Sequence, residues 1–334
     1  MSEQLVSVII PVHNAEAHVA RTLESVLQQD YARLEIIVVN DASTDSTRNI
    51  VQALLQEGGR TFRIIDLAEN LGVSAARNTG LASASGKYVW FCDGDDIAES
   101  NLISELCGIA EKFDSDIAFG GIADRFEDGR PDELHRVTLK DSQPLDGEYA
   151  LYMRMQRPIA PHLCCMLFRK SLLDENDIRF TEGCTAFEDI EFQMKAFCHA
   201  DKVSFSPECM YVYVHSSEMG SVRDNNTPEK RLSRYVDSSE AHRRTAEYLL
   251  RNAPSKRTRY LAENMLMPEA MIRSFTVCAR AGDKKGFDAL LNDANVRRSL
   301  LSSRKVFLKK PEIFAKALAI LCAPGLYFRM RREK

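Results

Sequence analysis

Short apolar segments alternate with helical segments over about the first 95 residues of this chain. Apolar runs of this kind, bounded by turn residues, are typical of strands that are buried on both faces of a sheet. The apolar segments are 5–12, 34–39, 62–67 and 88–91, and the helical segments are 15–29, a segment ending at 55, and 72–84. A strand–helix alternation predicts an α/β fold with a mostly parallel sheet and helices on both faces.

Polar side chains follow three of these strands. His13 and Asn14 come after the first strand, Asp41 follows the second, and the acidic segment 93–96 follows the fourth. Ligands of open α/β sheets bind at the carboxyl ends of the strands. The sequence therefore predicts a ligand site at this edge of the sheet.

The acidic segment Asp93-Gly94-Asp95-Asp96 places three carboxylates within four positions. Carboxylates this close repel one another unless a cation lies among them, and Mg²⁺ and Mn²⁺ prefer oxygen ligands. Gly94 is expected to let the chain turn sharply as it leaves the sheet. The alternative is a solvated turn in which Asp96 caps the following helix.

Two common nucleotide-binding motifs are missing. The first strand is not followed by G-x-G-x-x-G, and no G-x-x-x-x-G-K-[ST] occurs. A dinucleotide-binding domain and a P-loop enzyme are therefore disfavoured. A bound nucleotide would need a metal on the acidic segment and a basic residue such as Arg77.

The second half of the chain mixes strands and helices before it becomes helical. We expect a helix over 101–112, a strand with a Gly-Gly bulge over 116–126, a loop over 127–147, and a short helix over 149–156. A strand over 164–168, a helix from Glu188 and Asp189 to 199, and one or two strands over 202–214 follow, and then helices over 229–252, 260–281 and 284–301. Adjacent carboxylates at a helix start are also explained by capping and by the helix dipole.

The last segment, 302–334, has nine Lys or Arg against two acids, with an apolar stretch over 313–328. An apolar helix flanked by cations is typical of a peripheral anchor on anionic membranes. The alternative is a C-terminal helix packed on the protein with solvated lysines. No apolar run reaches the roughly 18–20 residues of a membrane span.

Composition excludes little else. The net charge of −4 gives no global argument for nucleic-acid binding, so no nucleic-acid partner is expected. Nine cysteines without a C-x-x-C pair suggest reduced thiols in the cytoplasm. A basic segment followed by an apolar one, as in a secretory signal, is absent from the N-terminus.

Five motifs in the right order resemble those of the family 2 glycosyltransferases. They are VSVIIPVHNAE, IIVVNDASTDST, NLGVSAARNTGL, FCDGDD and FEDIEF. The sequence departs from the family pattern at His13, where a tyrosine is usual, and at Asn40 and Ala42. The resemblance covers roughly residues 5–223. It implies a GT-A fold, with a catalytic domain over 1–226, a helical region over 227–301 and the basic tail over 302–334.

The resemblance assigns donor-binding roles to residues after the first three strands. Pro11, His13 and Asn14 would line the nucleotide base and ribose. Asp41 would accept the N3–H of uracil, and Arg77 would approach the nucleotide. The alternatives are purely structural roles, in which Pro11 only ends a strand and Arg77 pairs with a surface carboxylate.

The resemblance assigns the chemistry to the acidic motifs. Asp93 would face the ribose and the metal, Asp95 would bind the metal, and Gly94 counts with the donor-binding residues. Glu188 and Asp189 form the family's base motif, with Asp189 as the general base. In that role the base would accept the proton of the attacking hydroxyl.

His215, together with Ser221, falls where related enzymes carry a basic residue and a serine in a loop over the diphosphate. The resulting expectation is an inverting hexosyltransferase that uses a UDP-sugar with Mn²⁺ or Mg²⁺ and a saccharide or lipid-linked acceptor. It would serve polysaccharide or lipopolysaccharide synthesis in the cytoplasm, peripherally on the inner face of the membrane. A single displacement inverts, and no motif marks a nucleophile for a second one.

Two other functions stay open. A sugar nucleotidyltransferase of related architecture needs a Gly-rich basic loop after the first strand, and this chain has HNAEAHVAR there. A non-catalytic protein of the same fold is disfavoured by the carboxylates at all three motifs.

Overall fold

The computed structural model describes residues 3–140, 142–156, 161–215 and 227–332. The chain divides into two compact units. Unit one comprises Met1–Gly183 and His199–Gly220, and unit two comprises Cys184–Cys198 and Ser221–Lys334.

The first half of unit one confirms the predicted alternation of strands and helices. Four strands pair in parallel in the order β3-β2-β1-β4. The elements are β1 Val6–Val12, α1 Val19–Leu27, β2 Leu34–Asn40, α2 Thr47–Glu57, β3 Thr61–Asp66, α3 Val73–Ser83 and β4 Tyr88–Phe91. Because every residue of β1, β2 and β4 is buried, apolar runs alone were enough to find them.

The second half of unit one extends the same sheet with mixed direction. The order continues from β4 through β9, β6 and β10 to β5, and β9 is antiparallel to both of its neighbours. The elements are β5 Ile97–Ala98, α4 Leu102–Phe113, β6 Ile117–Phe126, β7 Glu133–His135, β8 Leu145–Asp146, α5 Gly147–Gln156, a 3₁₀ turn Leu163–Cys165, β9 Met166–Arg169, α6 Lys170–Glu175 and β10 Lys202–His215.

The predicted loop over 127–147 is wrong in part, because it contains β7 and β8. All three residues of β7 are exposed, so no apolar pattern marks it. Its pairing with β6, from Ile122 opposite His135 to Asp124 opposite Glu133, comes from backbone hydrogen bonds.

The predicted Gly-Gly bulge lies on the other strand. β6 runs regularly, whereas β10 carries extra residues between Phe205 and Met210. A Cβ on Gly120 would lie 2.8 Å from the sulfur of Cys209. The glycines of β6 therefore make room for the bulge of β10.

The first strand runs to Val12, as predicted, so the alternative that Pro11 only ends it does not hold. β1 continues to Val12, with Pro11 opposite Val39 of β2. On the other side β4 pairs with β1 only as far as Ile9. A residue without an N–H is tolerated beyond that point because no further bond to β4 is required.

Unit two is helical, as predicted from the loss of strand signal. Its elements are α7 Glu188–His199, α8 Pro228–Asn252, α9 Lys256–Leu261, a π-helical turn Ala262–Leu266, α10 Met267–Arg280, α11 Lys284–Asn292, α12 Ala294–Ser302, a 3₁₀ turn Ser303–Val306, α13 Pro311–Cys322 and α14 Pro324–Arg332. Asp293 separates two helices that were expected as one, and its carboxylate accepts from the N–H of Asn295 and Val296 at 2.7 and 3.1 Å. Because this side chain caps α12, a new helix begins there.

Two packing features show how far unit two extends, and the predicted domain boundaries stay predictions. Residues 184–198 belong to unit two, where Glu191 of α7 pairs with Arg244 of α8 at 2.8 Å. The tail is part of unit two as well, since the hydroxyl of Tyr327 lies 2.9 Å from that of Thr276. Among the described residues no single helix is long and apolar enough for a membrane span. Helices α13 and α14 reach the required length and apolar composition only when they are taken as a pair, and the pair is bent by 112°.

Candidate functional site

The loops after β1 and β2 are tied to each other in unit one. The main-chain N–H of Asn14 donates to Ser43 Oγ at 3.1 Å, and Asn14 Oδ1 accepts from the N–H of Thr44 at 2.8 Å. His13 Nδ1 lies 2.6 Å from the carbonyl of Asp41. Asn14 has a φ of 47°, a conformation that asparagine tolerates better than most residues. The structure therefore brings His13, Asn14 and Asp41 together.

Asp41 is buried and holds the start of α3. Its two carboxylate oxygens accept from the N–H groups of Leu71 and Gly72, each at 2.8 Å. Gly72 has a φ of 86°, which favours glycine at this turn into the helix. Asp41 thus fixes the helix that carries Arg77. Its predicted contact with uracil stays a prediction and would use the remaining lone pairs of the carboxylate.

Arg77 pairs with Asp93 of the acidic loop. Its Nη2 donates to Asp93 Oδ1 at 2.7 Å, and the guanidinium lies 5.2 Å from the ring centre of Phe180. The other oxygen of Asp93 accepts from the thiol of Cys164 at 3.4 Å. Burial alone would raise the pKa of Asp93, but the charge and hydrogen bond of Arg77 outweigh it and lower that pKa. Asp93 is therefore ionised.

Asp95 is the carboxylate in this loop that is left for a ligand. Burial, and then the charge of Asp93, raise its pKa from 3.8 to about 6. Within the described part of the chain, no ion pair reaches its side chain. Its carbonyl accepts from Arg21 Nη2 at 2.8 Å, and the next carbonyl, of Asp96, accepts from Thr22 Oγ1 at 2.7 Å. Helix α1 therefore holds the main chain of the loop and leaves the Asp95 carboxylate uncommitted.

Asp96 does not cap a helix, so the alternative of a capping turn at this residue is wrong. Its side chain is fully buried, with Oδ2 accepting from the Tyr211 hydroxyl and Oδ1 from the N–H of Val214, both at 2.9 Å. The Tyr211 hydroxyl in turn accepts from the N–H of Asp93 at 3.2 Å. Burial, with the charges of Asp95 and Asp93, raises the pKa of Asp96 well above its usual range. Asp96 therefore anchors the loop to β10.

Gly94 is required for a close approach and not for a left-handed turn. A Cβ there would lie 2.9 Å from Val12 Cγ1 and 3.0 Å from the carbonyl of Pro11. Its φ is not among the positive values of the chain. The loop after β4 thus packs directly on the end of β1, which brings Pro11 into the site.

The donor atoms of this loop fit a hard divalent cation. Among residues 3–140, 142–156, 161–215 and 227–332, no group of three His, Cys, Asp or Glu side chains forms a complete metal site. Asp93 and Asp95 offer one or two carboxylates, a set that Mg²⁺ and Mn²⁺ complete with water and phosphate oxygens. A cation would therefore bind here together with a phosphate ligand.

His215 lies at the end of β10 and is held by Asp124. Its Nε2 is 2.6 Å from Asp124 Oδ1, and His135 Nε2 is 3.0 Å from the other oxygen. The imidazole of His215 also stacks on Phe126, with 4.6 Å between ring centres. Sequence reasoning missed Asp124 and His135 because they belong to strand pairs that no motif marks. Ser221 lies outside the described residues.

Glu188 and Asp189 are the first two residues of α7, in unit two. Phe187, just before them, has a φ of 66°, which is rare for an aromatic residue and marks a strained turn. Its ring lies 4.7 Å from that of His242 and 5.2 Å from the guanidinium of Arg273. These ring contacts hold the strained residue in place. The catalytic roles of Glu188 and Asp189 stay predictions.

The comparisons with known proteins agree on one family. The family model described as Glycosyl transferase family 2 matches residues 7–176, about half of the chain. A relative named as an uncharacterised glycosyltransferase EpsJ of Bacillus subtilis (strain 168) is 32% identical over 214 residues, which are 63% of this chain and 60% of that protein.

A second relative is named as a poly(ribitol-phosphate) beta-N-acetylglucosaminyltransferase, TarS, of Staphylococcus aureus (strain Mu50). It is 29% identical over 218 residues, which are 64% of this chain and 36% of that protein. The chain thus matches less than two thirds of the length of either relative.

Solved structures show the same fold along most of the chain. The structure of S. aureus TarS 1–349 with UDP-GlcNAc has a TM-score of 0.69 at 22% identity and covers 96% of this chain and 92% of that one. The mannosyltransferase PcManGT of Pyrobaculum calidifontis, with GDP-Man and Mn²⁺, has a TM-score of 0.55 at 18% identity, covering 97% and 88%. The predicted GT-A architecture with a helical C-terminal region is confirmed.

Proposed function

Because this chain belongs to glycosyl transferase family 2 and is a glycosyltransferase of GT-A fold, we propose that it transfers a sugar from a UDP-sugar to a hydroxyl of a saccharide or lipid-linked acceptor. The observation that carries the proposal is the loop after β4, where Arg77 pairs with Asp93 at 2.7 Å and Asp95 stays uncommitted. The loop follows a parallel strand at the sheet edge where α/β proteins bind ligands. The UDP-GlcNAc in the TarS structure supports the donor class.

Asp95, with Asp93, would hold a Mn²⁺ or Mg²⁺ ion against the donor diphosphate. A cation bound there neutralises the charge that develops on the leaving diphosphate. Arg77 keeps Asp93 ionised, while Tyr211 and Asp96 hold the loop in place. The Mn²⁺ in the PcManGT structure supports this choice of metal.

The loops after β1 and β2 would receive the nucleoside. Pro11, His13 and Asn14 would line the base and ribose, and Asp41 would accept the uracil N3–H. Their mutual hydrogen bonds support this proposal, since a rigid pocket selects a base better than a loose one. Gly94 would contribute to donor binding by letting the loop after β4 pack on Pro11. His215, fixed by its 2.6 Å contact to Asp124, would approach the diphosphate.

Asp189 would act as the general base, with Glu188 beside it. The acceptor oxygen attacks the anomeric carbon, its proton passes to Asp189, and the bond from that carbon to the diphosphate breaks. One displacement of this kind inverts the anomeric centre. Asp189 and Glu188 support the assignment by their place in the first turn of α7, where negatively charged side chains are favourable and where Glu191 also lies.

We also propose that the reaction serves a cell-surface polysaccharide and takes place on the cytoplasmic face of the membrane. The polymer named for the TarS relative supports a polyol or saccharide acceptor on a growing chain. The basic, apolar tail supports a membrane location.

The first experiment measures nucleotide release from a panel of UDP-sugars and GDP-mannose, with Mn²⁺, with Mg²⁺ and with EDTA. We expect hydrolysis of at least one UDP-sugar, and only with a cation. Asp95→Ala should abolish turnover and cation-dependent UDP binding in calorimetry. Asp128→Ala, at an exposed carboxylate of unit one, is the matched control. Unchanged cation-dependent binding by Asp95→Ala would remove the metal role.

The second experiment separates the base from donor binding. Asp189→Asn should keep UDP binding and lose transfer, whereas the exposed Asp288→Asn should keep both. A fully active Asp189→Asn enzyme would exclude Asp189 as the base. Release of pyrophosphate from UTP and a sugar phosphate would instead favour a nucleotidyltransferase, and failure to bind any nucleotide would favour a non-catalytic protein.

A further inference from the structure

Helix α13 is apolar on two opposite faces. One face is buried in unit two and consists of Ile313, Ala317 and Ile320. The other face is exposed, and its members recur every three to four residues: Ala315, Leu318, Ala319 and Cys322. A surface helix of a water-soluble protein normally presents polar residues to solvent. The exposed face of α13 therefore calls for an apolar neighbour.

The turn before α13 is the most exposed apolar point of this region. Leu308 is 95% exposed, and Phe307 beside it is 46% exposed. Phe307 packs on Phe314 with 5.5 Å between ring centres, so the turn is held against the helix. Because this turn is already packed on the helix, Phe307 and Leu308 can enter an apolar environment without a change of the backbone. Leu326 and Met330 of α14 are also more than half exposed.

Cations surround these apolar side chains. The exposed ones are Arg304, Lys305, Lys309, Lys316, Arg329 and Arg332. In the described part of the tail the single acid is Glu312. We call the exposed apolar and cationic residues of 304–332 the tail surface. Its charge is complementary to a polyanionic partner and repels a second copy of itself.

We propose that the tail surface docks on an anionic lipid bilayer, with Phe307 and Leu308 entering the headgroup region and the cations contacting lipid phosphates. A bilayer supplies both halves of this chemistry, an anionic surface with apolar chains beneath it. A nucleic acid would supply phosphates but no medium for an aliphatic side chain such as Leu308. The inference builds on the proposed membrane location, and it names the residues and the lipid class.

Vesicle binding tests the tail surface without donor, cation or turnover, so its failure is distinct from failure of the proposed reaction. The full chain is sedimented with vesicles of phosphatidylcholine alone or mixed with phosphatidylglycerol. We expect binding to the mixed vesicles only, weakened by salt. Leu308→Glu should reduce this binding at least about tenfold. Leu134→Glu, at a 54% exposed leucine of β7 in unit one, is the matched control and should bind as the wild type does.

Insertion is measured with Leu308→Trp and brominated lipids, which quench nearby indoles. The single native tryptophan, Trp90, is fully buried in β4 and supplies a constant background. We expect quenching in Leu308→Trp and none in the wild type. Equal binding to both vesicle types, equal binding by Leu308→Glu and wild type, or unquenched Leu308→Trp would each overturn the proposal. So would binding that survives salt and a carbonate wash, which would indicate an embedded segment.

Discussion

Substitution of Glu191 tests how unit two holds α7, the helix that carries the predicted base Asp189. Its side chain is 2% exposed, accepts from Arg244 Nη2 and Nε at 2.8 and 3.0 Å, and pairs with Lys195 at 2.8 Å. Replacing it with glutamine keeps the shape and removes the charge. The change leaves two cations beside a neutral amide.

The expected loss is about 3–5 kcal/mol in the free energy of unfolding, which is typical when one member of a buried ion pair is removed. Most of that cost is the uncompensated charge of the partners, not the net value of the pair. Asp288→Asn breaks an exposed pair with Lys284 and should cost at most about 0.5 kcal/mol. The measurement is urea unfolding followed by circular dichroism, with both variants beside the wild type.

The stability difference between wild type and Glu191→Gln should also depend on pH, in a direction set by the pKa of Glu191. Burial opposes ionisation of Glu191, but its hydrogen bonds and charge interactions with Arg244 and Lys195 outweigh burial and lower its pKa below 4.5. A carboxyl with a lowered pKa contributes stability above its unfolded value and loses it as the pH falls through the folded value. The gap between wild type and Glu191→Gln should therefore be full at neutral pH and shrink below about pH 4.5.

Two results would refute this reasoning. One is a loss for Glu191→Gln no larger than that for Asp288→Asn, and the other is a gap that stays constant with pH. Because α7 also carries Asp189, Glu191→Gln should lower transfer more than it lowers UDP binding.

Three further predictions concern unit one. Binding of an intact UDP-sugar with Mn²⁺, measured by calorimetry, should strengthen as the pH rises through about 6, because Asp95 must lose its proton to bind the cation; a flat profile would contradict this. Tyr211→Phe should cost about 1–3 kcal/mol in urea unfolding, because it removes a buried hydroxyl that serves two partners; a loss below about 0.5 kcal/mol would contradict it. Asp124→Asn should lower turnover by freeing His215, while His135→Gln, which keeps that contact, should not; equal effects would show that Asp124 does not position His215.

The sheet and the position of the acidic loop were predictable because both follow from short-range patterns. Apolar runs identify β1, β2 and β4, and the strand-end rule places Asp41 and Asp93 at one edge. Both predictions use only residues that are close in sequence and the general rule that α/β sheets bind ligands at the carboxyl ends of their strands.

The partners of the loop were not predictable, because they depend on contacts between distant residues. Tyr211 and Asp96 are 115 positions apart and meet only because β10 lies where it does in the sheet. Asp96 therefore looked like a cap when judged from its neighbours. The exposed strand β7 could not be predicted from the sequence for the same reason, because it is formed by backbone pairing with β6 and has no apolar pattern of its own.

The cross-ties at the sheet edge have a thermodynamic consequence for ligand binding. The links from Asn14 to Thr44, from Asp41 to Gly72 and from Arg77 to Asp93 are all made between groups of the protein itself. A pocket whose walls are already ordered loses little conformational entropy when it is filled. Calorimetry should then show nucleotide binding with a small entropic penalty, and the heat-capacity change should reflect buried ligand surface and not folding of these loops.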